Sequence, residues 1–374
     1  MKGISKNSVS LSLSKPTYWF SCYVKRLRQA QSDSTTGRVF RDGLKLVRTL
    51  VFISTFALVL SCGPKKPAEE TSTPARVVNV PKFNADSAYF FVDKQVKFGP
   101  RVPNTSAHQE AANYFIDQFK KYKAVVTVQE FEATTFDNQR LKLKNIVASY
   151  FPEAQKRILL AAHWDTRPFA DKDKEKKDAP FDGANDGASG VGVLLEIARV
   201  LSQSKAPLVG VDIILFDGED WGEKDGKSHI DPPEGQDSWW CLGSQYWAKN
   251  KHKKNYSAHY GILLDMVGSK RAQFFREGVS LEFAGKTVEK VWNRAAQMGY
   301  SDYFVKQNVA SITDDHLYIN QLAKIPMIDI VHYQAGIGFF GDYHHSTKDN
   351  MSIISKETLG AVGNTLLSAV YYEE

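Results

Sequence analysis

The chain has 374 residues, 43% of them hydrophobic and 24% charged, which is enough for one large globular core. Its formal net charge of +6 sits at one end: residues 1–61 hold ten Lys/Arg against two Asp/Glu and carry +8, leaving −2 for the rest. That remainder lacks the basic footprint of a nucleic-acid partner, and three scattered cysteines (Cys22, Cys62, Cys241) make neither a disulfide framework nor a cysteine-rich zinc module.

Residues 1–44 are polar, Ser-rich and basic, without useful periodicity. Lys45-Leu46-Val47-Arg48 then precedes an apolar run over 49–60, too short to span a bilayer as a helix but suited to the basic and apolar regions of a secretory signal. Its ending, Leu58-Val59-Leu60-Ser61-Cys62-Gly63, resembles a bacterial lipobox, which implies cleavage before Cys62 and lipidation of that residue. A signal begins near its basic region, so translation is expected to start downstream of Met1. The expected location is the bacterial cell envelope, lipid-anchored and facing the periplasm or exterior. Gly63, which is not a retention Asp, points to the outer membrane. Three segments follow: an extension and signal over 1–61, a Pro- and Lys-rich flexible tether over 62–82, and a globular domain over 83–374.

An amphipathic helix is expected from Thr105-Ser106, with Ser106 and Gln109 as a capping box and Ala112, Phe115, Ile116 and Phe119 on one face. Strands are expected over 123–131, 145–150 and 156–162, the last delivering His163-Trp164-Asp165 to its carboxyl end. The charged loop 171–178 reads as solvated. The Gly-rich turn 183–190 carries Asp186 and opens a helix with Val193, Leu194, Ile197 and Leu201 inward; it lacks the Lys of a P-loop and the dinucleotide spacing. Ile213 to Phe216 is a buried strand that stops on Asp217-Gly218 and at once presents Glu219 and Asp220. A polar insertion over 223–238 leads to Trp239-Trp240 and a helix through Ser244 and Trp247. A strand over 259–264 ends on Asp265, helices cover 280–298 and 356–371, and a strand covers 325–331. Strands and helices alternate without repeats, so the fold class is α/β: a single domain around a mixed, mostly parallel sheet with helices on both faces.

Two adjacent carboxylates at the carboxyl end of a buried strand need a cation or a shared proton, and that end of an open α/β sheet is where ligands bind. His163, Asp165, Asp186, Glu219, Asp220, Asp265, Asp314, Asp315 and His345 all fall on strand ends or loops. Each has a plain alternative: an exposed acidic turn, a hydrogen-bonded His, a helix cap at Asp186 or at Asp314 and Asp315. Their recurrence after one strand after another is how an oxygen- and nitrogen-ligated zinc site with an open position is assembled. Cys241, beside Trp240 and Leu242, reads as a buried, unreactive thiol.

Six motifs carry a resemblance: His163-Trp164-Asp165; the turn Gly183 to Gly190; Phe216-Asp217-Gly218-Glu219-Asp220; Leu263-Leu264-Asp265-Met266-Val267-Gly268; Asp314-Asp315-His316; and His345-Ser346-Thr347-Lys348-Asp349-Asn350. In this order, over about residues 90–372, they resemble the superfamily of glutaminyl cyclases and zinc aminopeptidases. Asp-Asp-His before an Ile-Pro strand, and Gly99-Pro100-Arg101-Val102-Pro103-Asn104, are similar to the cyclases. The resemblance implies one zinc on Asp186, Asp220 and His345, with Glu219 as general base and then acid, and Asp265 and Asp314 as a proton-sharing pair that holds the substrate nitrogen. The reaction implied is conversion of N-terminal glutamine to pyroglutamate with release of ammonia. The alternative it leaves open is a di-zinc aminopeptidase, with His163 and Asp265 as further ligands and Asp186 bridging. A third, an inert peptide-binding lipoprotein, would be expected to lose Glu219 or a ligand, and all are present. The chain departs from the family at Asp220, where relatives often carry Glu, and at His344, where animal cyclases carry Trp. Trp221, Trp240 and Tyr343 are the expected aromatic wall, with Trp239 a further candidate.

Overall fold

The structure, a computed structural model, describes residues 78–224 and 230–374; the signal reading, the lipidation reading at Cys62 and most of the tether lie outside the described residues. In chain order the elements are α1 (Ala85–Val96), α2 (Ser106–Lys121), β1 (Val125–Thr134), β2 (Arg140–Tyr150), β3 (Arg157–His163), α3 (Ala188–Gln203), β4 (Gly210–Phe216), α4 (Leu242–Lys249) and β5 (Tyr260–Asp265). They continue with β6 (Phe274–Arg276), α5 (Gly278–Gln297), β7 (Phe304–Asn308), α6 (Asp315–Tyr318), a π-helical turn (Ile319–Ala323), β8 (Met327–Val331), β9 (Tyr333–Gln334), β10 (Gly338–Phe339) and α7 (Lys356–Tyr371).

The main sheet has six strands in the order β1-β2-β4-β3-β5-β8. β1 and β2 form an antiparallel hairpin, and β2 joins β4 antiparallel. β4, β3, β5 and β8 are mutually parallel, so the carboxyl ends of four strands share one edge. Every residue of these four strands is buried. Alternate residues serve opposite layers, as the pleat requires. Ile158, Leu160, Ala162, Ile213, Leu215, Ile262, Leu264, Ile328 and Ile330 join the core formed with α1, α2, α3, α5 and α7. Leu159, Ala161, Ile214, Phe216, Leu263 and Met327 join Trp247 of α4 and Ile319 and Ala323 of the π-helical turn on the other face. This is the expected α/β architecture.

Details differ where capping and tertiary support overrule the local pattern. Thr105, extended at φ −93° and ψ 166°, is the cap of α2: its hydroxyl accepts from the His108 N–H, so the capping role falls one residue before Ser106. α1 was not expected. Asn84 caps it, and it packs Ala88, Phe91 and Val92 into the main core. The packed chain also starts earlier than Phe83: Val78 and Val80 already lie against that core.

Candidate active site

The strand ends deliver the chemistry. β3 ends on His163, β5 ends on Asp265, and the turn after β4 carries Glu219 and Asp220. Asp186 precedes α3, Asp314 caps α6, and His345 comes from the loop after β10. With these residues (except His163), Arg167, Asp171, Lys172, Glu223, Trp240, Thr313, Phe340 and His344 line a cavity of about 330 Å³.

Asp220 Oδ1 lies 2.9 Å and Asp186 Oδ2 3.7 Å from His345 Nε2. Both carboxylate oxygens are buried without a hydrogen-bond partner among the described residues. Buried carboxylate oxygens that converge on one imidazole nitrogen need a proton or a cation between them, and a cation satisfies all of them at once. Two oxygens and an imidazole nitrogen with a cavity in front fit zinc with an open position. Backbone and side chains hold each ligand. Asp349 accepts from the N–H groups of Asn185 (2.7 Å) and Asp186 (2.9 Å). Arg167 N–H donates to Asp220 Oδ2 at 3.0 Å. Asp171 Oδ1 lies 3.5 Å from His345 Nδ1 and also takes the Arg167 fork, the arrangement that orients a ligating imidazole. His345 has φ 51°, an uncommon backbone for a non-glycine and a mark of a functional constraint. Gly187 has φ 85°, and a Cβ there would stand 2.9 Å from the Asp165 carbonyl and 3.1 Å from the His163 ring. Glycine at that point lets Asp186 sit against β3. Asp186 does not cap α3, whose cap position is Gly187.

His344 supplies another nitrogen near Asp186, 3.8 Å from Oδ2. Lys172 Nζ donates to His344 Nδ1 at 2.7 Å, an arrangement that leaves the ring proton on Nε2 and no lone pair there for a metal. Asp186, His344 and His345 bring ligand atoms within 4.8 Å of one another, so His344 joins the ligand set only if Lys172 releases its Nδ1.

A second cluster adjoins the first. His163 Nε2 lies 3.1 Å from Asp186 Oδ1 and 3.2 Å from Asp265 Oδ1, and its Nδ1 lies 3.7 Å from Asp165. Burial opposes charge on this imidazole, but the three carboxylates outweigh it and raise the pKa well above the usual histidine range. Asp165 also clamps the catalytic turn, accepting from the N–H groups of Glu219 (3.1 Å) and Asp220 (3.2 Å).

Burial pushes the Glu219 carboxyl well up, against the nearby His163, and Asp220, Asp314 and Asp315 push it further. Asp265 is pushed up to about 7, chiefly by burial and further by Asp314. Asp314 Oδ1 accepts from the Asp315 N–H at 2.5 Å, while its Oδ2 and both oxygens of Asp329 are buried without a donor. Asp314 and Asp329, with His316, bring polar atoms within 4.8 Å of one another, close enough for a proton held between the two carboxyls to serve both. Asp329, on β8, is thus a partner of Asp314 that the sequence reading missed; it sits inside an apolar strand with no flanking signal. Arg167 and Asp171 were also missed, the latter because its charged loop looked solvated throughout. Asp315 and His316 turn away from the cavity lining, and His316 bonds Glu277 at 3.0 Å.

Of the expected aromatics only Trp240 lines the cavity. It stacks parallel to His345 with centroids 6.0 Å apart and lies under the Arg167 guanidinium. A Cβ at Gly222 would stand 1.8 Å from the Trp240 ring, so glycine there makes room for it. Trp221 turns to the outer side of the hairpin, against the Leu143 and Leu242 cluster, and donates to Asp137. Tyr343 lies behind the site, its hydroxyl bonded to Asn185 and His332, and Trp239 donates to the Ile230 carbonyl. The aromatic wall is instead Trp240 and Phe340, with His344 packed 4.4 Å from Phe340 between centroids.

Residues 145–370 match the family model for peptidase family M28. Among solved structures, the glutaminyl cyclase of Bacteroides thetaiotaomicron bound to N-acetylhistamine is 48% identical, with 79% of this chain and all of that chain covered at a TM-score of 0.75. The glutaminyl cyclase of Tannerella forsythia matches with the same identity, coverage and TM-score. A Zn-dependent exopeptidase from Parabacteroides distasonis is 49% identical over 79% of this chain and all of its own, also at 0.75. A half-buried carboxylate beside a zinc-type ligand cluster, on this sheet and with these likenesses, places the chain in peptidase family M28, among its glutaminyl cyclases.

Proposed function

We propose that the chain closes the N-terminal glutamine of peptides and proteins into pyroglutamate, releasing ammonia, with one zinc held by Asp186, Asp220 and His345. The observation that carries this is Glu219: a half-buried carboxyl on the cavity wall, beside the ligand cluster but not part of it. Zinc bound at the cluster would supply Lewis-acid polarisation of the side-chain amide. The chain's own groups do the rest. Asp265 and Asp314 accept hydrogen bonds from the α-amine and hold its nitrogen over the amide carbon. Glu219 takes one amine proton as the nitrogen–carbon bond forms, and gives it to the departing nitrogen as the old carbon–nitrogen bond breaks, so ammonia leaves. Burial suits Glu219 to both halves, since a raised pKa brings proton uptake and return closer in energy. Trp240 and Phe340 exclude water from the reacting amide.

A specific observation supports a second reading. The cluster of His163, Asp186 and Asp265 offers ligand atoms within 4.8 Å of one another, the pattern of a second metal with Asp186 bridging. That would suit an aminopeptidase. Incubating the protein with Gln-Phe-Ala and Leu-Phe-Ala separates the two. Loss of one ammonia from the first peptide, with the second intact and a Glu219→Gln control inert, supports the cyclase. Release of free leucine overturns it.

The same reading puts residues 83–374 outside the cytoplasm as the catalytic domain, on the tether 62–82, anchored through a lipid on Cys62 to a bacterial envelope membrane. The basic run, apolar run and Ser-Cys ending support it. Metabolic labelling with a fatty acid, lost in Cys62→Ala, tests it; equal labelling of the variant would end the proposal.

A further inference from the structure

The sequence offered Cys241 as an inert core thiol, yet its Sγ lies 3.2 Å from Glu219 Oε1 and donates to it. The thiol is fully buried. Two backbone bonds tie the same two segments: Cys241 N–H donates to the Glu219 carbonyl at 2.9 Å, and Leu242 N–H to the Gly218 carbonyl at 3.1 Å. Cys241 stands in the left-handed region at φ 58°, immediately before α4, and that backbone aims its side chain back at the turn after β4. Glu219, Cys241 and Asp314 bring their polar atoms within 4.8 Å of one another.

We infer that Cys241 is a positioning residue for Glu219: its S–H occupies one carboxylate oxygen and holds the side chain in the rotamer that reaches the substrate amine. The inference rests on the activity proposed above. The main chain of Glu219 is held by the Asp165 clamp on its N–H and the Cys241 bond to its carbonyl, and among the described residues no other side chain donates to its carboxylate. A carboxylate that must accept a proton and return it within one turnover gains from a single orientation. A thiol suits this place because it is a weak donor: it orients the carboxylate without holding it as tightly as a charged partner would. Cys241 does not touch the substrate, and its burial keeps it from acting as a nucleophile.

The test compares Cys241→Ala and Cys241→Ser with wild type in the full chain on an N-terminal Gln peptide. Removing the donor is expected to lower kcat by about tenfold with KM unchanged. Serine, which keeps a donor on a shorter arm, should recover most of that loss. A merely structural cysteine would instead show equal kcat in the alanine variant, or losses in both variants that follow thermal stability; either result overturns the inference. Infrared spectroscopy gives an arm that needs no turnover. The S–H band absent from Cys241→Ser should lie at the lower frequency of a bonded thiol, and should move up when Glu219→Leu removes the acceptor. A band at the free-thiol frequency in wild type also overturns it. Wild type inert on N-terminal Gln but with a bonded thiol would sink the activity reading, not the contact.

Discussion

Asp186 turns one carboxylate oxygen to His163, at 3.1 Å, and the other to His345, at 3.7 Å. One side chain thus touches both candidate metal positions, and the number of zinc ions rests on whether His163 spends its Nε2 on a metal or on a proton. His163 Nε2 faces two carboxylate oxygens, Asp186 Oδ1 at 3.1 Å and Asp265 Oδ1 at 3.2 Å, and the one-zinc reading puts a proton on that nitrogen, where either oxygen accepts it. Purified protein should therefore carry near one zinc per chain by elemental analysis, and His163→Ala should keep it. Near two in wild type and one in the variant would establish the bridged pair.

Asp171 reaches His345 Nδ1 from behind, with Arg167 on its own far side. Partners of this kind typically set metal affinity by about 10–100-fold. Asp171→Ala is expected to weaken zinc by that factor in a chelator competition, with the fold intact by circular dichroism. Zinc affinity equal to wild type would show that Asp171 serves only Arg167.

Glu219 lies beside Asp220 in sequence but has a different task, and removing it should separate the two. Glu219→Gln is expected to lower kcat by about 10²–10⁴-fold, the usual worth of a general base, while zinc content stays that of wild type. Loss of zinc together with activity would make Glu219 a ligand and reverse the assignment.

Glu277 gives a pH prediction away from the metal. Its carboxylate caps α5, accepting from the N–H groups of Val279 and Ser280, and bonds His316 and the Ile312 N–H. Burial pushes this carboxyl up, but His316 and the backbone donors outweigh it and hold it at about 2. A carboxyl whose folded pKa is depressed binds fewer protons folded than unfolded, so its stabilisation is complete above the unfolded value of about 4.3 and is lost as pH falls toward 2. Glu277→Gln should lower stability at neutral pH by about 1–3 kcal/mol, and the gap from wild type should shrink on acidification. Denaturant midpoints at neutral pH and near pH 3 check this; a gap that widens in acid would contradict it.

Much of the site was legible without coordinates because its residues follow apolar runs directly. A strand that is buried on both faces must end at the sheet edge, so whatever follows Ala162, Phe216 or Leu264 arrives there, and the parallel order of β3, β4 and β5 brings those ends together. His163, Glu219, Asp220 and Asp265 were readable for that reason. Tertiary structure alone decided the neighbours. Trp221 and Trp240 look alike in sequence, yet Trp221 turns to the hairpin's outer cluster, while Trp240 lies over the gap left by Gly222 and against His345. Asp171 and Asp178 share one charged loop, and only Asp171 meets an arginine and a ligand histidine. Asp329 meets Asp314 only because α6 and the π-helical turn fold the chain back between them, and Cys241 reaches Glu219 through a left-handed backbone. Local pattern sets which residues reach the edge, because burial of a strand is a property of the strand. Which atoms then touch depends on side-chain direction and on loops that meet only once the sheet has formed.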